Sequence, residues 1–176
     1  MAAGLMLIIS GILIQFLNFS TRVWHTSVAQ SNSQGGAESA AERLGPLLRN
    51  ARRVVVSSSN DHQLTIQEPA YDASGNMLLP LQDGDVYCFY LSDQTGSPSH
   101  TGTILWRSAN GVPDRSWSLR NGQGRVFVAA GGLGFTYYPT AAPETVTVNL
   151  SAFGESGNRS SQFPVSEEFK LRNKDL

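Results

Sequence analysis

The sequence predicts an α+β protein: a long N-terminal helix, with a membrane half and an amphipathic half, packed on an antiparallel β-sheet head. Three observations carry this expectation. Residues 2–19 (AAGLMLIISGILIQFLNF) form an uncharged apolar run whose polar members are Ser10, Gln15 and Asn18. Residues 37–55 place alanine, leucine and valine at steps of three and four, the period of one helix face. Beyond residue 54 short alternating segments separated by Gly-, Asn-, Asp- and Ser-rich stretches replace that period, as in antiparallel sheet. The expected division is an apolar helix over 1–24, an amphipathic stem helix over 25–56 and a β head over 57–176.

Composition narrows the function. A chain of 176 residues suits one domain with an appended element. Its net charge of -1 excludes a generally basic nucleic-acid binder, so no nucleic-acid partner is expected. The single cysteine, Cys88, excludes an intramolecular disulfide and a cysteine-rich zinc site. His25, His62 and His100 are scattered and leave little for a histidine cluster, so neither metal nor cofactor is expected. Charge is also unevenly placed. Residues 1–21 carry none, residues 22–53 hold five arginines against Glu38 and Glu42, and residues 54–176 hold eight basic against twelve acidic side chains. The pattern is an uncharged anchor, a basic stem and a mildly acidic head.

An apolar run of this length can span a bilayer as a helix, since about 18–20 residues suffice. Gly4 and Gly11 permit close packing against a neighbour, and Trp24 is placed as an interfacial anchor. Leu5, Leu7, Ile8, Ile9, Ile12, Leu13, Phe16 and Leu17 are the candidate packing residues, toward lipid or toward other helices. The alternative is a cleaved secretory signal. Ser27-Val28-Ala29 offers small residues for a peptidase and would release a secreted β-rich binding domain starting at Gln30. Against this alternative, no Lys or Arg precedes the run and a helical pattern follows it directly.

In the stem, Leu44, Leu47, Leu48, Ala51 and Val55 define the face expected to pack on the sheet. Acidic residues lie early and basic ones late, as the helix dipole prefers. Gly45-Pro46 predicts a kink or restart, and residues 31–36 predict a loosened connection to the apolar helix. Arg49, Arg52 and Arg53 read as a solvated basic face near a membrane surface.

The head begins with a hairpin, residues 54–56 and 63–67 about a polar turn. Strands are expected at 86–91, 103–107, 117–119, 125–128, 133–138, 145–150 and 169–172. Turns are expected at 72–76, at Asn110-Gly111 and at 121–124. No catalytic constellation emerges. Ser57, Ser58 and Ser59 near His62 read as a turn, and no nucleophile elbow is present. Asp83-Gly84-Asp85 and Asp72 with Asn76 supply oxygen ligands of the kind calcium takes, but too few for a dedicated loop. Cys88 reads as an inert core thiol. Asn149 and Asn158 match the glycosylation pattern and suggest surface loops.

Residues 42–55 (ERLGPLLRNARRVV), 103–107 (TILWR), 128–138 (VAAGGLGFTYY), 145–150 (TVTVNL) and 169–173 (FKLRN) follow one another after the apolar helix. This order resembles the type IV pilin superfamily, and within it the minor pilins and pseudopilins of the PilW and J-type classes. The resemblance covers nearly the whole chain. It implies a non-enzymatic subunit of a type II secretion or type IV pilus-like filament, at or near the tip. It also implies one pass through the bacterial inner membrane, with the head on the outer side. Other pilins or pseudopilins would be partners, with an assembly platform and ATPase acting indirectly. The family's basic leader and its phenylalanine-threonine-leucine and glutamate motif are not matched. Alignment of the stem places residues 1–5 just past the expected glutamate. The expectation is a start assigned late, a trimmed chain, or atypical processing at Gly4-Leu5 with Ile9 in the glutamate's place. The cytoplasmic N-terminus of the family also runs against a positive-inside reading of Arg22.

Overall fold

The computed structural model describes residues 2–80, 82–118 and 127–172; the side chains of residues 2–5, 7, 8, 116 and 118 lie outside that description. One α-helix, α1, runs from Ala2 to Asn50. At 1.5 Å per residue its 49 residues extend about 74 Å. Among the described residues eight strands follow: β1 (Arg53–Val54), β2 (Leu64–Pro69), β3 (Asp83–Ser92), β4 (Ile104–Ala109), β5 (Val112–Pro113), β6 (Val128–Tyr138), β7 (Thr145–Ser156) and β8 (Arg159–Lys170). A short helix α2 (Arg115–Ser118) lies between β5 and β6. All pairings are antiparallel, in two sheets ordered β1-β2-β3-β4-β5 and β6-β7-β8. The α+β expectation, one long N-terminal helix on antiparallel sheet, is met.

Both sheets and the helix share one core. Ala37, Ala40, Leu44 and Leu48 of α1 meet Val146, Val148, Leu150 and Ala152 of β7 and Phe169 of β8. Leu64, Ile66, Phe89, Leu91 and Leu105 close it from the five-stranded sheet. Burying a leucine such as Leu44 or Leu48 contributes about 1.5–3 kcal/mol, which holds the C-terminal half of α1 on the sheet. The sheets meet along β6. There Phe135 N–H donates to the Asp61 carbonyl (2.9 Å) and Val128 N–H to that of Thr103 (2.8 Å). The opposite face of the five-stranded sheet carries a smaller cluster of Tyr90, Ile104 and Trp106, with Cys88 packed beside it.

Several sequence expectations need correction. The helix runs unbroken through Gly45-Pro46 and through residues 31–36. Pro46 removes one backbone bond, but the buried Leu44 and Leu48 hold the turns on either side. Ser33 is fully buried, its Oγ donating to the Gln30 carbonyl at 2.9 Å, so the serine-rich stretch stays helical. The helix ends at Asn50, six residues short of the expected stem boundary. Ala51 is buried just past that end. Val55 leaves the helix face entirely, its N–H donating to the Thr65 carbonyl at 2.8 Å beside β1.

Trp117 lies in α2 and not in a strand, because Asp114 Oδ1 accepts the Trp117 N–H at 3.0 Å and caps that turn. Residues 119 and 121–126 fall outside the described residues; Phe127 bridges to Ile104. The expected strand at 169–172 is the end of a far longer one. β7 and β8 form a hairpin closed by Gly157-Asn158, with Ser156 opposite Arg159. Asn149 accordingly lies within β7 and not in a loop. The Asn110-Gly111 turn is as expected, with φ of 51° and 81°, the left-handed pair of a type I′ hairpin.

Candidate assembly surface on the N-terminal helix

The first contact between α1 and the head comes at His25. Its Nδ1 lies 2.9 Å from Ser156 Oγ, and the β7–β8 turn passes beneath its ring. One turn later Ala29 is fully buried. A Cβ on Gly154 would stand 2.2 Å from the Ala29 carbonyl oxygen and 2.5 Å from the Ser33 nitrogen. Glycine is therefore what lets the helix backbone lie directly on β7. Asn32 Nδ2 donates to the Glu155 carbonyl at 3.1 Å. These bonds fix where the helix leaves the head.

Residues 2–24 project beyond that junction, about 34 Å of helix at the standard rise. Their described apolar side chains are exposed: Ile9, Ile12, Leu13, Phe16 and Leu17 are 49% to 65% accessible. Leu5, Leu7 and Ile8 lie outside the described side chains. Sequence reasoning did not single out Met6, Ile14, Phe19 and Val23, which are equally exposed; Trp24, 61% accessible, sits at the junction with its ring edge-on to His25. A soluble monomer rarely shows a contiguous apolar surface of this extent without an interaction partner.

The exposed helix is not apolar all round. At about 100° per residue, Gly11, Gln15, Asn18 and Arg22 fall on one narrow stripe. That stripe continues into Ala29, Ser33, Gly36 and Ala40, which face the head. Ala37 and Leu48 widen the head-facing side, so of the apolar residues Ile9, Leu13, Phe16 and Leu17 look away from the head. Among the described residues no helix is long and apolar enough to cross a membrane; Gln15 and Asn18 interrupt the part of the run that is described.

Elsewhere the candidates have other occupations. Arg52 pairs with Asp83, and Arg53 pairs with the same carboxylate at 2.7 Å. Arg49 lies 5.7 Å from the Phe169 ring centre. The expected solvated basic face is thus partly engaged within the head. Asp85 accepts from Asn110 Nδ2 at 2.9 Å. Asp72 accepts the backbone N–H groups of Ser74 and Asn76, both at 2.8 Å, and these bonds, led by that from Asn76, lower its pKa. Ser59 Oγ donates to the Val55 carbonyl and accepts the Thr65 N–H, both at 2.9 Å, while His62 points toward β6. Cys88 belongs to the smaller cluster and not to the main core, and burial raises its thiol pKa.

Comparison with protein-family models, curated proteins and solved structures finds none that matches this chain.

Proposed function

We propose that the protein is a minor pilin or pseudopilin, a subunit of a type II secretion or type IV pilus-like filament that acts at or near its tip in assembly and protein secretion. The observation that carries this reading is the exposed helix over residues 2–24, continuous with the helix that packs on the head and bearing an apolar arc with no cover among the described residues. Such an arc is satisfied equally by lipid and by neighbouring apolar helices. A subunit of this shape waits in the bacterial inner membrane with its head outside. It then transfers its helix into a bundle of other pilins or pseudopilins when a platform protein and ATPase drive extrusion. The Gln15-Asn18 stripe supports the bundle as the final environment, because polar side chains in a helix interface find partners that lipid tails lack. No resident cofactor or catalytic step enters this role.

Substitution Ile12→Asp tests the reading. A carboxylate at the helix centre costs about 3 kcal/mol on insertion, a shift of roughly a hundredfold. The variant is expected to lose membrane retention and filament incorporation while its head keeps a wild-type melting profile. Unchanged incorporation contradicts the proposal. Release of a soluble head starting at Gln30 supports instead a secreted β-rich binding domain.

A further inference from the structure

His62 and His100 lie 38 residues apart in the chain, yet their rings meet at 4.5 Å between centres, edge to face. Each sits on a loop fastened to β6 by its backbone. The Asp61 carbonyl accepts from Phe135 N–H at 2.9 Å, and the His100 carbonyl from Gly131 N–H at 3.1 Å. Both loops belong to the five-stranded sheet, and β6 of the other sheet holds the pair at the seam. Both side chains are exposed and stand at a recess of about 80 Å³ that Asn60 and Gln63 also line. His62 Nδ1 lies 3.4 Å from the Leu133 carbonyl oxygen. With its proton on that side, the ring keeps the Nε2 lone pair free, the arrangement in which a backbone carbonyl orients a ligating imidazole.

We propose that His62 and His100 form a two-histidine site for a borderline divalent cation of the zinc class, which ties together the two loops of the five-stranded sheet that hold β6. Imidazole nitrogen suits such ions over calcium or magnesium. Among the described residues no third His, Cys, Asp or Glu joins the pair, so water and side-chain amide oxygen complete the shell. An open shell of this kind gives reversible, moderate affinity and not a permanently loaded centre.

Zinc alone is the probe, titrated calorimetrically into the full chain in detergent micelles. One equivalent is expected to bind in the micromolar range. His62→Gln and His100→Gln are each expected to weaken binding more than tenfold, while His25→Gln binds as wild type. Zinc at ten times its Kd is expected to raise the wild-type Tm by about 3 °C and to leave both site variants unmoved. Melting in chelator reports that each variant is folded. In the wild-type protein the ring signals of two of the three histidines should shift with zinc, which tests the site without any substitution. No binding up to millimolar zinc, or binding that either single variant retains, overturns the proposal.

Discussion

Glu68, near the end of β2, shows how one residue can oppose the fold that holds it. Burial raises its pKa, the nearby Arg107 charge partly offsets that, and Asp85 adds to the rise. A raised acid pKa means that the folded state holds the proton more tightly than the unfolded chain. Between the ordinary glutamate value and the raised one, stability therefore falls as pH rises. Glu68→Gln removes this dependence, so the variant should melt above wild type at pH 7 and level with it at pH 3.5. A variant that melts lower at pH 7 would show that the carboxylate makes a favourable contact there. Asp72 and Asp93 act in the opposite sense. Their lowered pKa values, set by hydrogen bonds within their own turns, add stability that is lost as pH falls through them. The turn roles of Asp72 and of Asn110-Gly111 are legible in the sequence because such residues bond or bend locally. Gly84 is not, since its reason is the Pro69 carbonyl, which would lie 2.5 Å from any Cβ placed there.

Among the elements, α1 and the β7–β8 hairpin decide where the exposed helix points. Gly154→Ala tests that junction. A methyl group 2.2 Å from the Ala29 carbonyl oxygen cannot be accommodated without moving backbone, at an overpacking cost of about 1–3 kcal/mol. The expected result is faster amide exchange over residues 25–36 with β3 and β4 still protected; exchange unchanged in that stretch would show that the helix is not seated as described. The helix itself was readable from its period of three and four, as were most strands from alternation. Three features were not. α2 depends on a cap at Asp114 within a segment whose aromatic content suggests strand. β8 hides because Pro164 and Glu167 break its pattern, and an edge strand tolerates both. The helix passes Pro46 because Leu44 and Leu48 are buried on either side, which no local propensity encodes.

For the whole molecule the division of labour follows from where apolar surface is covered. Residues 29–48 find their partners in β7 and β8. The described apolar side chains of residues 9–23 stay exposed, and Arg22 is the only charged side chain in the first 37 residues. The apolar arc was legible from composition alone. Its direction was not, because only the seating of Ala29, Ser33, Ala37 and Ala40 on the sheet shows that Leu13, Phe16 and Leu17 look away from the head. The paired histidines were equally hidden, since two loops of the five-stranded sheet, 38 residues apart in the chain, bring them together. The central claim is that the outward-looking arc packs against other subunit helices. A photo-crosslinking side chain placed at Phe16 in the native bacterium tests it most directly, with Asn149 on the exposed face of β7 as the control. The account predicts adducts from position 16 with other helix-first subunits in membrane and filament fractions, and none of that kind from position 149. A chain recovered wholly in the soluble fraction, with no subunit adduct at position 16, would contradict it.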